Sequence, residues 1–210
     1  MERLNLTPQG SINELHLYLD NVFAQIVYGD IPNITFHHCS SDDFEISYQN
    51  GVWLIKEKHR IDKLPMLLPP KAKLIIVIAH SEKIEKVVIQ LSNGCVHGSE
   101  LHAQNVQLSV RSGSVQIEKC SVSNATVTCE SGNIQLSGTI EQKVSVSCNM
   151  GNVKLNCLSN DNYGYSIKVG MGSVHIRDKV FTTTSQNAGT GNTPFFDISC
   201  EMGNVSIGKA

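Results

Sequence analysis

The residues of this sequence best placed to do chemistry are sulfur-bearing, and they recur at fixed distances from glycines. Cys129, Cys148 and Cys200 each stand three residues before a glycine, at Gly132, Gly151 and Gly203. Met150, Met171 and Met202 each stand directly before one, at Gly151, Gly172 and Gly203. Thioethers are soft ligands, so aligned methionine sulfur could hold a soft metal such as Cu(I). Cysteines on neighbouring strands could be bridged, but disulfide geometry is demanding. The plainer expectation is that the cysteines fill a core as small hydrophobes. The methionines would then form an apolar corner ladder and, where exposed, an interface.

Other chemistry is weakly supported. No Cys-x-x-Cys occurs, which leaves a zinc ribbon or dithiol motif without its ligands. The histidine pairs, His37 with His38 and His97 with His102, lack a third ligand at metal-binding spacing, and no His-Glu-x-x-His is present. Glu118, Glu130, Glu141 and Glu201 fall at different positions of the repeat described below, whereas glycoside cleavage needs two converging acids. The fingerprints of serine hydrolases, phosphate-binding loops and dinucleotide folds are missing. The expectation is therefore no enzyme, no catalytic residue, no cofactor and no metal site.

The elements that must position these residues follow from the glycines. Gly94, Gly113, Gly132 and Gly151 are nineteen apart, and Gly172 and Gly203 follow at spacings of 21 and 31. The blocks LSVRSGSVQI, VTCESGNIQL, VSCNMGNVKL, IKVGMGSVHI and ISCEMGNVSI share one plan: alternating strand, short corner ending in glycine, alternating strand. Leu91, Val110, Cys129, Cys148, Val169 and Cys200 fill one apolar column, and Val96, Val115, Ile134, Val153, Val174 and Val205 fill another. Between the apolar positions lie Gln107, Ser109, Thr126, Thr128, Ser145 and Ser147. A period of two puts the two sets on opposite faces. One turn cannot bury its stripe alone, so turns must stack.

The fold class predicted is all-β: a parallel β-solenoid of about six coils with a ~19-residue period. An irregular strand-and-hairpin N-terminal part precedes it. Residues 1–70 are expected as strands or a cap continuous with the solenoid, and 71–210 as the repeats. The corner glycines are expected to need positive φ. Asn133, Asn152 and Asn204 follow them and are expected to form an amide ladder. The corners carry no Asp, which excludes a calcium-binding repeat. Residues 182–193, small and uncharged, should loop out as an insertion, with Asn187 and Thr190 as interface candidates alongside the methionines. Asn50-Gly51 marks a hairpin, and residues 61–71, with three prolines, an extended connection. The chain is expected to end on an open coil edge, a surface for dimerisation or strand addition.

The charged fraction is 17% and the formal net charge −2, without the basic field of a nucleic-acid binder. The N-terminus does not read as a signal peptide and no apolar run spans a bilayer, so a cytoplasmic location with reduced cysteines is expected; a cleaved signal missing from the sequence would make it exported.

LPPKAKLIIVIAH, the corner blocks SGSVQI, SGNIQL, MGNVKL and MGNVSI, and the earlier SDDFEISYQNGVWLIKE together resemble the bacterial adhesin-like DUF4097 family, over roughly residues 11–208. The resemblance implies a β-helix-like stack of short strands, no enzyme activity and no catalytic residues to carry over. The functional expectation is a structural or binding module for a protein or carbohydrate ligand, with homo-oligomerisation open. The alternatives are a carbohydrate-active β-helix enzyme and a scaffold that self-assembles through the C-terminal end.

Overall fold

The computed structural model describes residues 2–4, 11–58, 72–80, 84–158, 162–182 and 185–209. The expected proline-rich connection over 61–71 lies outside them. Among the described residues the chain is all-β, and its one helical piece is the short turn Ser41–Asp43. The strands join into one non-closed sheet, dominated by parallel pairing, that coils in the manner of a solenoid.

The apolar columns are the reason it coils. Val110 lies beside Leu91 and Cys129, Cys129 beside Cys148, and Cys148 beside Cys200. After the corner, Val96, Val115, Ile134, Val153, Val205 and Val174 follow one another through the stack. All six are no more than 2% exposed. Burying each such side chain contributes about 1.5–3 kcal/mol, realised only with a neighbouring turn above or below. A third side closes the coil where Leu101 pairs with Cys120 and Val122 with Ile140.

The stacking order departs from the chain order at both ends. The strands Asn152–Leu158 do not pair with the next turn in sequence. They pair with the last strand of the chain, Asn204–Lys209, which in turn pairs with Ser173–Ile176. Likewise Phe195–Cys200 lies between the end of Asn133–Cys148 and Gly164–Val169. The chain thus skips one slot, builds the turn around Gly172, and returns to fill the gap with the turn around Gly203. This accounts for the spacings of 21 and 31. It also corrects the expected open C-terminal edge: the final strand is paired on both sides, so a scaffold assembling through it is not available.

The outermost turn is instead closed by reversed strands. Lys179–Phe181 runs antiparallel to Ser173–Ile176, and Ser185–Ala188 antiparallel to Gly164–Val169. Part of the expected 182–193 loop is therefore a strand, because a terminal turn leaves its N–H and C=O groups unpaired unless something covers them. The N-terminal side follows the same logic. Glu14–Leu19 lies between Val52–Glu57 and Ile84–Leu91, and Phe23–Gly29 lies between Lys73–Ala79 and Cys95–Gly98. Phe44–Gln49 and Asn33–His37 cap that end antiparallel. The Asn50-Gly51 hairpin is present, with φ of 52° and 78°, as a primed turn requires.

The corner glycines do not serve the expected purpose. The described glycines with positive φ are Gly51, Gly138 and Gly189, and none is a corner. What excludes a side chain at the corners is proximity. A Cβ at Gly113, Gly132, Gly151, Gly203 or Gly172 would lie 2.3–2.5 Å from the carbonyl oxygen of the adjacent turn's corner glycine. That oxygen is already engaged: Asn133 N donates to Gly113 O at 3.0 Å and Asn152 N to Gly132 O at 3.0 Å. The remaining space is filled from the neighbouring turn. A Cβ at Gly132 would meet Val110 Cγ1 at 2.5 Å, and at Gly151 it would meet Cys129 Sγ at 2.3 Å. Glycine and column residue are therefore a socket and its plug. Gly132→Ala is expected to destabilise the protein by about 3 kcal/mol through overpacking. Gly191→Ala, with nothing within 4 Å of the added carbon, should stay within about 0.5 kcal/mol of the parent in urea unfolding.

Candidate functional site

The strands before the corner present the polar row outward. Gln107 and Ser109, Thr126 and Thr128, Ser145 and Ser147, Asp197 and Ser199 stand in register on four successive turns. Neighbouring rows are spaced by about 4.8 Å, the separation of paired strands. A shallow concavity of about 210 Å³ lies on this surface, over Thr126, Thr128, Ser145, Ser147, Asp197 and Ser199. A second, of about 310 Å³, continues the same surface toward the N-terminal turns, where Ser109, Gln90, Tyr18 and Lys56 follow one another across paired strands. The face thus carries two shallow concavities along the stack, with hydroxyl rows in the middle, Tyr18 and charged groups toward the N-terminal turns, and Asp197 toward the opposite end.

The carboxylates along this face have partners. Glu57 Oε2 accepts the backbone N–H of Asp20 at 2.7 Å and of Asn21 at 3.1 Å, and so pins the first corner, which has no glycine. Glu130 pairs with Arg111 at 3.6 Å, Glu45 with Lys56 at 3.5 Å, and Asp197 with Lys143 at 3.8 Å. Asp20 and Glu57 line one concavity, but Glu57 acts there as a cap for the turn. Glu57→Ala should cost about 1–2 kcal/mol in thermal or urea unfolding by stranding two N–H groups.

The sulfur residues separate into two populations. Cys129, Cys148 and Cys200 are each 1% exposed, as expected of core residues. Each thiol donates to the carbonyl of its own corner glycine at 3.1–3.2 Å. The contact with Cys129, then burial, pushes the Cys148 thiol up. Burial pushes Cys120 up to about 11 and Cys157 to about 12. No disulfide joins any two of the seven cysteines, and only Cys39 and Cys95 are part-exposed. The thiolate is the reactive form and must be reached by the reagent, so Ellman's reagent at pH 8 should modify Cys39 and Cys95 before the other five, which should react only after unfolding. The methionines behave oppositely: Met150, Met202 and Met171 are 54%, 49% and 78% exposed.

The amide ladder after the corners is present. Asn152 Nδ2 donates to Asn133 Oδ1 at 3.0 Å, Asn204 Nδ2 to Asn152 Oδ1 at 3.1 Å, and Ser173 Oγ to Asn204 Oδ1 at 2.8 Å. Asn187 lies exposed on the capping strand opposite Ser166, and Thr190 is exposed in the turn that follows. Both sit on the outermost turn, as Met171 does.

One cluster had no signal in the sequence. The Tyr28 ring stacks on His80, 5.8 Å between centroids, and meets His102 edge-on at 5.6 Å. The His102 backbone N–H donates to Tyr28 Oη at 3.0 Å, and the His102 ring pairs with Glu100. Burial raises the Tyr28 phenol, and the hydrogen bond from His102 lowers the Glu100 carboxyl. Tyr28 and His102 are 74 residues apart, so only the turn stacking joins them. His97 stands separately, 3.8 Å from Glu118.

Among the described residues no helix is long and apolar enough to cross a membrane. No curated protein matches the chain. A crystal structure described as a "putative cell adhesion protein" from Clostridium sporogenes superposes with a TM-score of 0.52 at 13% identity, covering 100% of this chain and 98% of that one. Another, described as a "putative adhesin" from Parabacteroides distasonis, gives 0.53 at 13% identity, covering 98% and 95%. At such identities the likeness is one of fold. The Toastrack DUF4097 family model matches residues 56–193, most of the length, and the chain belongs to that family.

Proposed function

We propose that this protein is a non-enzymatic, adhesin-like binding module whose polar groove holds an extended carbohydrate. The observation that carries the reading is that one concavity lies over the in-register hydroxyl rows before the corner, and a second, bordered by Tyr18, Gln90 and charged residues, lies further along the same face. Hydroxyl and amide side chains offer donors and acceptors without charge, which suits a neutral polyhydroxylated chain. Their repetition from turn to turn suits a ligand that itself repeats. Tyr18, within the groove, supplies a flat apolar surface with a polar tip. The reading takes the six glycine-cornered turns, at a ~19-residue repeat, as the platform that spaces these rows.

The non-enzymatic part rests on the engagement of the groove's acids. Glu57 accepts two backbone N–H groups, Asp20 accepts from Asn21 Nδ2 at 3.1 Å, and Glu130 and Asp197 face cations at 3.6 and 3.8 Å. A glycosidase needs one acid to protonate the leaving oxygen and a second to act opposite it.

The test is a screen of neutral and charged oligosaccharides on an array, followed by calorimetry with any that bind. A longer oligosaccharide should bind better than a shorter one of the same repeat. Thr128→Arg, which places a charged side chain in mid-groove, should weaken binding at least about tenfold, or about 1.4 kcal/mol. Binding that ignores Thr128→Arg, or no binding to any glycan, would remove the groove reading. Release of cleaved product from a bound glycan, abolished by Glu57→Gln, would replace it with the enzymatic alternative.

A further inference from the structure

Met150, Met202 and Met171 are far apart or out of order in sequence, but the filling of the skipped slot makes them consecutive in space. Glu201 N donates to Cys148 O at 2.9 Å and Met202 N to Asn149 O at 2.7 Å, so the Gly203 turn registers on the Gly151 turn. Met171 N donates to Glu201 O at 2.6 Å, so the Gly172 turn registers on the Gly203 turn. The three side chains therefore leave one corner, on adjacent paired strands, at about 4.8 Å from one to the next. All three are exposed, by 49–78%. They are three of the five exposed large hydrophobic residues among the described ones. The same corner position holds Asn93, Ser112 and Ser131 in the preceding turns, so the methionines replace a polar column at one end only.

A second feature lies beside them. The Glu201 carboxylate reaches over Gly170, with Oε2 3.0 Å from where a Cβ on that glycine would stand. A carboxylate oxygen thus sits over Gly170, the residue before Met171. Three thioethers on flexible stems, with one carboxylate alongside, are soft donors with a compensating charge. This set matches a soft monovalent cation and discriminates against hard ions, which take oxygen shells. Methionine side chains have three rotatable bonds, so the three sulfurs can converge from a strand-spaced column.

We propose that Met150, Met202 and Met171, with Glu201 beside them, form a surface site for a soft monovalent metal ion, Cu(I) or its redox-inert analogue Ag(I). The site is independent of the carbohydrate groove and does not require the proposed function.

The experiment uses the full chain carrying Cys39→Ser and Cys95→Ser, which removes the part-exposed thiols that would compete. Methionine methyls are labelled with ¹³C and Ag(I) is titrated in. Three of the five methionine methyl resonances should shift together and saturate at one equivalent. Met202→Leu, which keeps size and apolarity at the central position, should lower Ag(I) affinity at least about tenfold. Glu201→Gln should weaken it less, and an unchanged circular dichroism spectrum verifies that both variants fold. Mg(II) should move none of these resonances. The proposal is overturned if the three methyls respond independently, if they fail to respond while silver binds elsewhere, or if Met202→Leu binds like its parent.

Discussion

The repeat layers of this molecule depend on one close approach, between the corner glycine of a turn and the corner carbonyl of the turn beside it. The carbonyl accepts an N–H from the neighbouring turn at 3.0–3.1 Å, and it can do so only because no Cβ stands in the way. The vacancy is then occupied by the valine, leucine or cysteine that precedes the corner in the adjacent turn. A hydrogen bond and a packing contact are satisfied by the same absence of a side chain. The glycine column is consequently a matter of spacing between turns, and left-handed backbone plays no part in it.

The cysteines follow from the same constraint. A thiol is small enough to plug the socket and can still donate to the glycine carbonyl of its own turn. Valine at the same position fills the socket but offers no donor. These side chains are buried and their sulfurs contact the corner carbonyls, so a column that looks like redox chemistry on paper is packing. The exposed methionines, one residue before the glycine, point the other way and carry none of this structural duty.

The ends are built to resist extension. A stack of identical turns would present open strand edges, which invite other chains. Here the last strand of the chain is drawn one turn inward, and the outermost turns are covered by short antiparallel strands, one of which begins with Lys179. Fraying of the last strand would have to break ladders on both its sides. The same inward fold-back sets three methionines side by side, so a device that closes the stack also creates its most unusual surface.

Much of the architecture is readable without coordinates. Alternation assigned the inward and outward rows, and the recurrence of glycine at nineteen residues assigned which rows stack, because parallel in-register pairing copies a local pattern at a constant offset. Asn133, Asn152 and Asn204 could be recognised as a ladder for the same reason. The order of the terminal turns could not be read. Each turn presents the same apolar stripe and the same glycine, so Gly151 accepts Gly203 as readily as Gly172 by sequence alone. The choice is made by connections and caps that have no periodicity. The groove and the Tyr28–His80–His102 cluster belong to that second category, since they join residues from turns whose adjacency only three-dimensional packing decides.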